Sequence, residues 1–386
     1  MSTRPSACTR RSVLAALAAA PFASSCTFGA LPDPVAAWRS PGAGETDLRR
    51  FALAHAILAP NPHNRQPWLV AFEGDDAFTL HADTERLLPE TDPFDRQIVV
   101  GCGAFLELLD LAAGSKGKKL AITLWPEGEP QPRLDQKPVA HVRVTSEPAT
   151  LDPLFAHILA RRTDRNAFLD RAVTDEDLAA IAAAAVPMGE SKLVVRAANS
   201  GELRDKLRAL SWNAFDKECR TPRAHGETVR LTRIGRVEIA HERDGIALSG
   251  PVIETAHALG LFNQRTFADV DHPFTRQGLD AIRPVALDAP AHMWITSADN
   301  TRSTQIAAGR AYARLNLAAT SRSLAMQPWS QALQEYPEMA ALHAEAEQLM
   351  GAPGDTRVQM FVRVGYPEAP VPPAPRRGVH ALFESA

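Results

Sequence analysis

Cysteine is scarce. The 386-residue chain has 4, at Cys8, Cys26, Cys102 and Cys219. These do not form a disulfide framework, and a Cys102–Cys219 bridge is not expected. The 12 histidines are scattered without metal-ligand spacing, and His-Glu-x-x-His is absent, so no metal site is expected. Positive charge is not in surplus either. Lys and Arg number 42 against 45 Asp and Glu, for a formal net charge of −3 with no basic block. Nucleic-acid binding therefore lacks electrostatic support. Gly101-Cys102-Gly103 is followed by no third glycine and does not join a strand to a helix, which excludes a dinucleotide fingerprint. The apolar run at 13–23 is too short to span a bilayer as a helix. What remains is an ordinary soluble composition, 45% hydrophobic and 23% charged, long enough for two domains or one large one.

The N-terminus differs from the rest. Arg10-Arg11 precedes the alanine- and leucine-rich run, so residues 1–25 read as a twin-arginine signal peptide. Its removal takes away three arginines and no acid, moving the net charge from −3 to −6. The twin-arginine machinery exports folded proteins, often with a cofactor already inserted. A tightly bound cofactor and a periplasmic location are therefore expected. Ser24-Ser25-Cys26 is a candidate lipoprotein cleavage site, though the usual leucine three residues before the cysteine is missing. A lipid anchor at Cys26 would be the only membrane attachment.

Periodicity and turn residues predict helices at 47–59, 96–113, 154–162, 175–185 and 304–323. Strands are predicted at 69–72, 78–82, 120–125, 139–145, 192–196, 293–296 and 358–364. The stretch from 197 to about 290 reads as less regular. The order is neither strict βαβ alternation nor all-helical, which predicts an α+β fold with antiparallel-leaning sheets. An internal repeat is visible. Residues 103–116 align without a gap to 309–322, matching Gly103/Gly309, Leu109/Leu315, Leu111/Leu317, Ala112/Ala318, Ala113/Ala319 and Ser115/Ser321.

Three segments carry chemistry. Pro60-Asn61-Pro62-His63-Asn64-Arg65-Gln66-Pro67-Trp68 is a polar loop fixed by prolines between a helix and a strand. Arg161-Arg162-Thr163-Asp164-Arg165 sets guanidiniums and a hydroxyl within five residues at a helix exit. That array suits an oxyanion, and it equally suits a solvated basic end under the helix dipole. Val362-Arg363-Val364-Gly365-Tyr366-Pro367 leads through a stiff proline-rich stretch to Arg376-Arg377.

Together these segments resemble the nitroreductase family. The first is similar to its flavin-contacting loop, commonly Pro-Ser-x-x-Asn-x-Gln-Pro-Trp, with Asn61 in place of the serine. The second resembles its Arg-Arg-Ser/Thr-x-Arg-x-x-Phe phosphate motif, and the third its last strand and Gly-Tyr-Pro turn. The resemblance implies FMN as cofactor. It assigns Arg161, Arg162, Thr163 and Arg165 to the phosphate, with Arg376 and Arg377 as further basic ligands. Asn61, His63, Asn64 and Gln66 would lie at the isoalloxazine. It implies an oxidoreductase in which NAD(P)H, or an unknown periplasmic reductant, reduces the flavin and a nitroaromatic or quinone then reoxidises it. No acid or base residue is required by that scheme, and none is nominated.

The motifs are divided between two halves, 47–147 and 148–386. The first keeps the loop, but its opening, Leu48-Arg49-Arg50-Phe51, lacks the phosphate motif. The second keeps the phosphate motif, but has only 184–190 where a flavin loop would follow. The resemblance thus implies a tandem-fused, monomeric pseudo-dimer with one composite site. Two alternatives stay open. The chain could bind or sequester FMN without turnover, with the stretch around 267–284 as a cover, or be a cofactor-free exported scaffold or stress protein.

Overall fold

The computed structural model describes residues 30–185 and 193–383. The leader at 1–25, Cys8, Cys26 and the segment 186–190 lie outside the described residues.

The first half opens with α1 (Leu48–Ala56), capped by the Asp47 carboxylate, which accepts the Arg49 amide proton. Strands β1 (Trp68–Glu73) and β2 (Ala77–Ala82) follow, then the long helix α2 (Arg96–Ser115) and strands β3 (Lys118–Leu124) and β4 (Pro138–Pro148). The sheet order is β1-β2-β4-β3, antiparallel throughout. The second half has α3 (Asp175–Ala183) and β5 (Leu193–Ala198). An insertion then carries α4 (Gly201–Arg220), α5 (Pro222–Arg230), β6 (Thr232–Ile234), α6 (Gly235–Glu242), β7 (Ile246–Leu248), α7 (Pro251–Ala258), α8 (Gln264–Ala268) and α9 (Pro273–Leu287). Strand β8 (Ala291–Ser297), helix α10 (Arg302–Ser321), β9 (Ala325–Pro328), α11 (Ala340–Leu349) and β10 (Arg357–Gly365) complete it. Its sheet order is β5-β8-β10-β9, again antiparallel.

Both four-stranded sheets therefore run first-second-fourth-third, each with a 20-residue helix between its second and third strands. Those helices, α2 and α10, carry the sequence repeat, and they cross at its glycines. A methyl group built on Gly103 would overlap the Ile306 carbonyl, and one on Gly309 would overlap the Val100 carbonyl. In the repeat's own register Ile306 is the equivalent of Val100. Each helix thus presents the same spot to the other, which is the reciprocal contact of a two-fold interface. The pair is buried on nearly all sides, as an apolar central helix must be. Polar contacts at the crossing are one-sided. Buried Glu107 of α2 bridges Arg310 and Arg314 of α10, both at 2.8 Å, while its repeat equivalent is Ala313.

Three expectations change. The helix at 154–162 is only a 3-10 turn, Pro153–His157. The chain beyond it is drawn out beside β9, where Thr163 bridges Met326 and the Asp164 amide donates to the Met326 carbonyl. The stretch 197–290 is mostly helical. Its longest helix, α4, buries Leu207, Leu210, Ser211, Ala214 and Glu218. That spacing is helical, but Ser211 and Glu218 interrupt its apolar signal. The candidate cover at 267–284 is largely the regular helix α9 packed on α4. Cys102 and Cys219 are buried free thiols.

The C-terminal tail returns to the first half. Leu382 and Phe383 join the core beneath β1, with the Phe383 ring 5.0 Å from that of Phe72.

Candidate functional site

Helix α1 ends at Ala56, ahead of Pro60 and Pro62, and the turns after it bond back to the carbonyls of Leu53, His55 and Ala56. Guanidiniums from the second half take up the carbonyls that follow. Arg161 Nη2 donates to the Leu58 carbonyl at 3.1 Å. Arg376 donates to the carbonyls of Ile57, Leu58 and Ala59 at 2.8, 3.2 and 3.1 Å. Cations here also meet the negative end of the helix dipole. The phosphate-like motif, through Arg161, therefore reaches the chain just ahead of the loop, 103 residues away in sequence.

Beyond the prolines the loop is tightly coiled. His63, Asn64 and Gln66 hold φ of 47, 52 and 51°, in the left-handed region that non-glycine residues seldom enter. Asn61 closes the loop on itself: its Nδ2 donates to the Ala59 carbonyl and its Oδ1 accepts the Gln66 amide proton at 2.7 Å. Asn64 donates to the Pro375 carbonyl and accepts from Arg376 Nη1 at 2.7 Å. Gln66 accepts the Arg377 amide proton and donates to the carbonyls of Asn64 and Arg243. The three amides thus stiffen the loop and tie it to the tail and the insertion.

The arginines divide sharply. Arg376 uses all its N–H directions on the carbonyls of Ile57, Leu58 and Ala59, on Asn64 and on its neighbour Pro375, leaving none for a phosphate. It is a clamp. Arg377 contributes its backbone amide to Gln66. Arg161 is the opposite case. It is 2% exposed, and its Nε and Nη1 have no partner. Burial lowers its pKa to about 10, so it stays charged at neutral pH. Arg162 bonds back to the Leu159 and Arg161 carbonyls and lies over the Trp38 ring. Arg165 is exposed, yet desolvation still lowers its pKa. Its side chain is thus accessible to solvent yet flanked by protein.

His63 fits the same description. It is half-buried, and loss of solvent, reinforced by the charges of Arg165 and Arg65, lowers its pKa to about 4. Its Nε2 lies 3.1 Å from Thr228 Oγ1. Tyr312 of α10 completes the cluster, and sequence reasoning missed it. Buried to 2% exposure, it interacts electrostatically with both Arg161 and Arg165, and its hydroxyl accepts from Asn316 Nδ2 at 3.0 Å. The repeat held the signal, since Tyr312 aligns with Leu106: an aromatic hydroxyl stands where the other helix keeps a hydrocarbon. Among the described residues, Arg161, Arg162, Arg165 and Arg376 form no ion pair with a carboxylate. Two surface depressions of about 260 and 430 Å³ lie elsewhere and touch none of this cluster.

The family model described as the nitroreductase family matches residues 158–366. This chain belongs to the nitroreductase family. The match runs from just before Arg161 to the Gly365-Tyr366 turn, so it covers the half that holds the phosphate-like motif. A Mycobacterium tuberculosis protein with the provisional name NAD(P)H nitroreductase Rv3131 is 27% identical over 344 residues, spanning 88% of this chain and 92% of that protein. A second from the same organism, provisionally named NAD(P)H nitroreductase acg, is 31% identical over 125 residues, 32% of this chain and 37% of its own. Among solved structures, the FMN-dependent nitroreductase NfnB from Mycobacterium smegmatis in complex with NADPH aligns at 22% identity with a TM-score of 0.34. That alignment covers 58% of this chain and 94% of that one.

Within this nitroreductase chain the first half offers a contrast at the matching place. Arg49 pairs with Asp47 through two nitrogens and donates Nη1 to the carbonyls of Gly74 and Ala77. A guanidinium so engaged has little left for an anion.

Proposed function

We propose that this chain is an FMN-dependent oxidoreductase of nitroreductase type with one composite site. The observation that carries the reading is Arg161, a buried cation with two unpartnered nitrogens, near the same Tyr312 ring as Arg165. An unsatisfied buried donor costs about 1–3 kcal/mol, more when charged. A site that keeps one is built to receive an anion, and the FMN phosphate fits in charge and acceptor count. Family membership and the names of the relatives support the same cofactor. Arg161 and Arg165 would hold the phosphate, with Thr163 between them. The stiffened loop from Asn61 to Gln66 would set the ring's position, leaving His63 Nδ1 without a protein partner to face it.

Bound FMN would supply the redox chemistry, taking a hydride equivalent from a nicotinamide or other small donor and passing electrons to a nitroaromatic or quinone in a ping-pong cycle. The chain's own part is to anchor, orient and shield. The test is the visible spectrum of desalted protein before and after added FMN, beside Arg161→Ala. A flavin spectrum in the parent that weakens in the variant is expected. No flavin uptake by the parent would overturn the reading.

A second reading, FMN binding without turnover, is favoured by one observation. The turn at Arg243–Gly245 lies across the loop, with the Gly245 amide donating to the Asn64 carbonyl at 3.2 Å. Flavin that loads but is not reduced by NADPH would favour it. We also propose export by the twin-arginine route. Replacing Arg10 and Arg11 by lysine should then retain the protein in the cytoplasm, read by cell fractionation.

A further inference from the structure

A buried carboxylate lies behind the loop histidine. Glu218 sits on the core-facing stripe of α4 and is 4% exposed. Its Oε2 accepts from Gln334 Nε2 at 2.7 Å, and its Oε1 accepts from Thr228 Oγ1 at 3.1 Å. The same Thr228 oxygen is 3.1 Å from His63 Nε2. A continuous line of hydrogen-bonding groups thus runs from the insertion's core to the loop. No arginine or lysine pairs with Glu218 among the described residues.

We propose that Glu218 is a proton source for the acceptor half of the reaction, acting through the Thr228 hydroxyl and the His63 imidazole. The inference rests on the flavin-site reading above. A reduced quinone or nitro group needs protons as well as electrons. With its carboxyl protonated, Glu218 donates to Thr228 Oγ1 and the Thr228 hydroxyl turns to donate to His63 Nε2. When the acceptor takes a proton from His63 Nδ1, Nε2 takes one from Thr228, and Thr228 takes one from Glu218. One proton leaves Glu218, one arrives on the acceptor oxygen, and the histidine ends as the other neutral tautomer. No imidazolium is needed, which suits a ring whose surroundings oppose positive charge.

The environment holds the proton in reserve. Burial, reinforced by the neighbouring Glu227 charge on α5, raises the Glu218 pKa to about 7, against the hydrogen bonds from Gln334 and Thr228. Tyr336 and Cys219 also face it, and both have raised pKa values through burial first and the Glu218 charge second. Around His63 the facing charges are Arg165 and Arg65, both positive. Thr228 is fixed on α5 and Glu218 on α4, so the hydrogen bond between them is set by two helices.

The test uses FMN-loaded protein, photoreduced or titrated with dithionite, then mixed with 1,4-benzoquinone in a stopped-flow experiment across pH 5–9. Glu218→Gln and Thr228→Val should keep FMN content but slow reoxidation on the order of tenfold and remove its inflection near neutral pH. Thr228→Ser, which restores the hydroxyl, should recover both. If loaded Glu218→Gln gives the parent's rate and pH profile, the relay is overturned while the flavin site stands. A parent that takes up no FMN overturns the site, and the relay with it.

Discussion

Two guanidiniums from one tail-and-motif cluster, both buried and 5.7 and 5.3 Å from the same Trp38 ring, have opposite fates. Arg376 is saturated by carbonyls, and Arg161 is not. Arg161 should therefore trade stability for binding. In the cofactor-free protein, Arg161→Met should raise the melting temperature by a few degrees by removing an unpaired buried charge. It should weaken FMN binding on the order of 10- to 100-fold, since a hydrogen bond to a charged group contributes about 1.5–3 kcal/mol. Calorimetry and flavin titration check the two arms, and a destabilised variant would contradict the first. His292 makes a second prediction at this scale. It is fully buried against Phe361, neither ring nitrogen has a partner, and burial lowers its pKa to about 3. The native state keeps it neutral while the unfolded chain protonates near pH 6.5. Its contribution is therefore intact above 6.5 and falls by about 1.4 kcal/mol per pH unit below that, until the folded pKa is reached. His292→Leu should flatten denaturant-measured stability between pH 6.5 and 4 relative to the parent. An unchanged slope would show that the histidine is not buried neutral.

At the scale of elements, the α2–α10 crossing is where the fold is least tolerant. Gly309→Ala places a methyl group against the Val100 carbonyl, and neither helix backbone can yield as a side chain would. Overpacking costs about 1–3 kcal/mol where side chains can move, so a loss at or above the top of that range is expected from urea denaturation. Gly114→Ala on α2 is the control. Its new methyl would lie 3.6 Å from the Thr150 carbonyl, an ordinary contact. Alanine's helix preference should leave it neutral or more stable. Both α2 and α10 were legible in the sequence because each is long and the repeat marks their facing positions. The insertion was not, because α4 carries Ser211 and Glu218 on its buried face. The 154–162 stretch is the reverse case. Its local pattern suits a helix, but tertiary pairing with Met326 draws the chain out.

For the whole molecule, the matching sheet orders and reciprocal glycines describe a pseudo-dimer whose two potential sites are unequal. One brings Arg161 and Arg165 to the polar loop. At the other, Arg49 is engaged by Asp47 and two carbonyls. Saturating FMN should therefore give one flavin per chain, measured from the visible-to-protein absorbance of desalted holoprotein. A ratio of two would overturn the one-site reading.

The sequence by itself determined the local facts: an α+β order of elements, the proline-bounded loop, the arginine cluster and the duplicated helix. Each depends on neighbours a few residues apart, through periodicity, turn chemistry and charge. Only the tertiary structure decided which arginine is a clamp and which is left open, that Asn61, Asn64 and Gln66 brace the loop, that Tyr312 stands near Arg161 and Arg165, and that Glu218 lies behind the loop. Those outcomes turn on hydrogen-bond partners drawn from up to 319 residues away. A polar group's role follows from which of its donors and acceptors remain unpaired once the chain has closed around it.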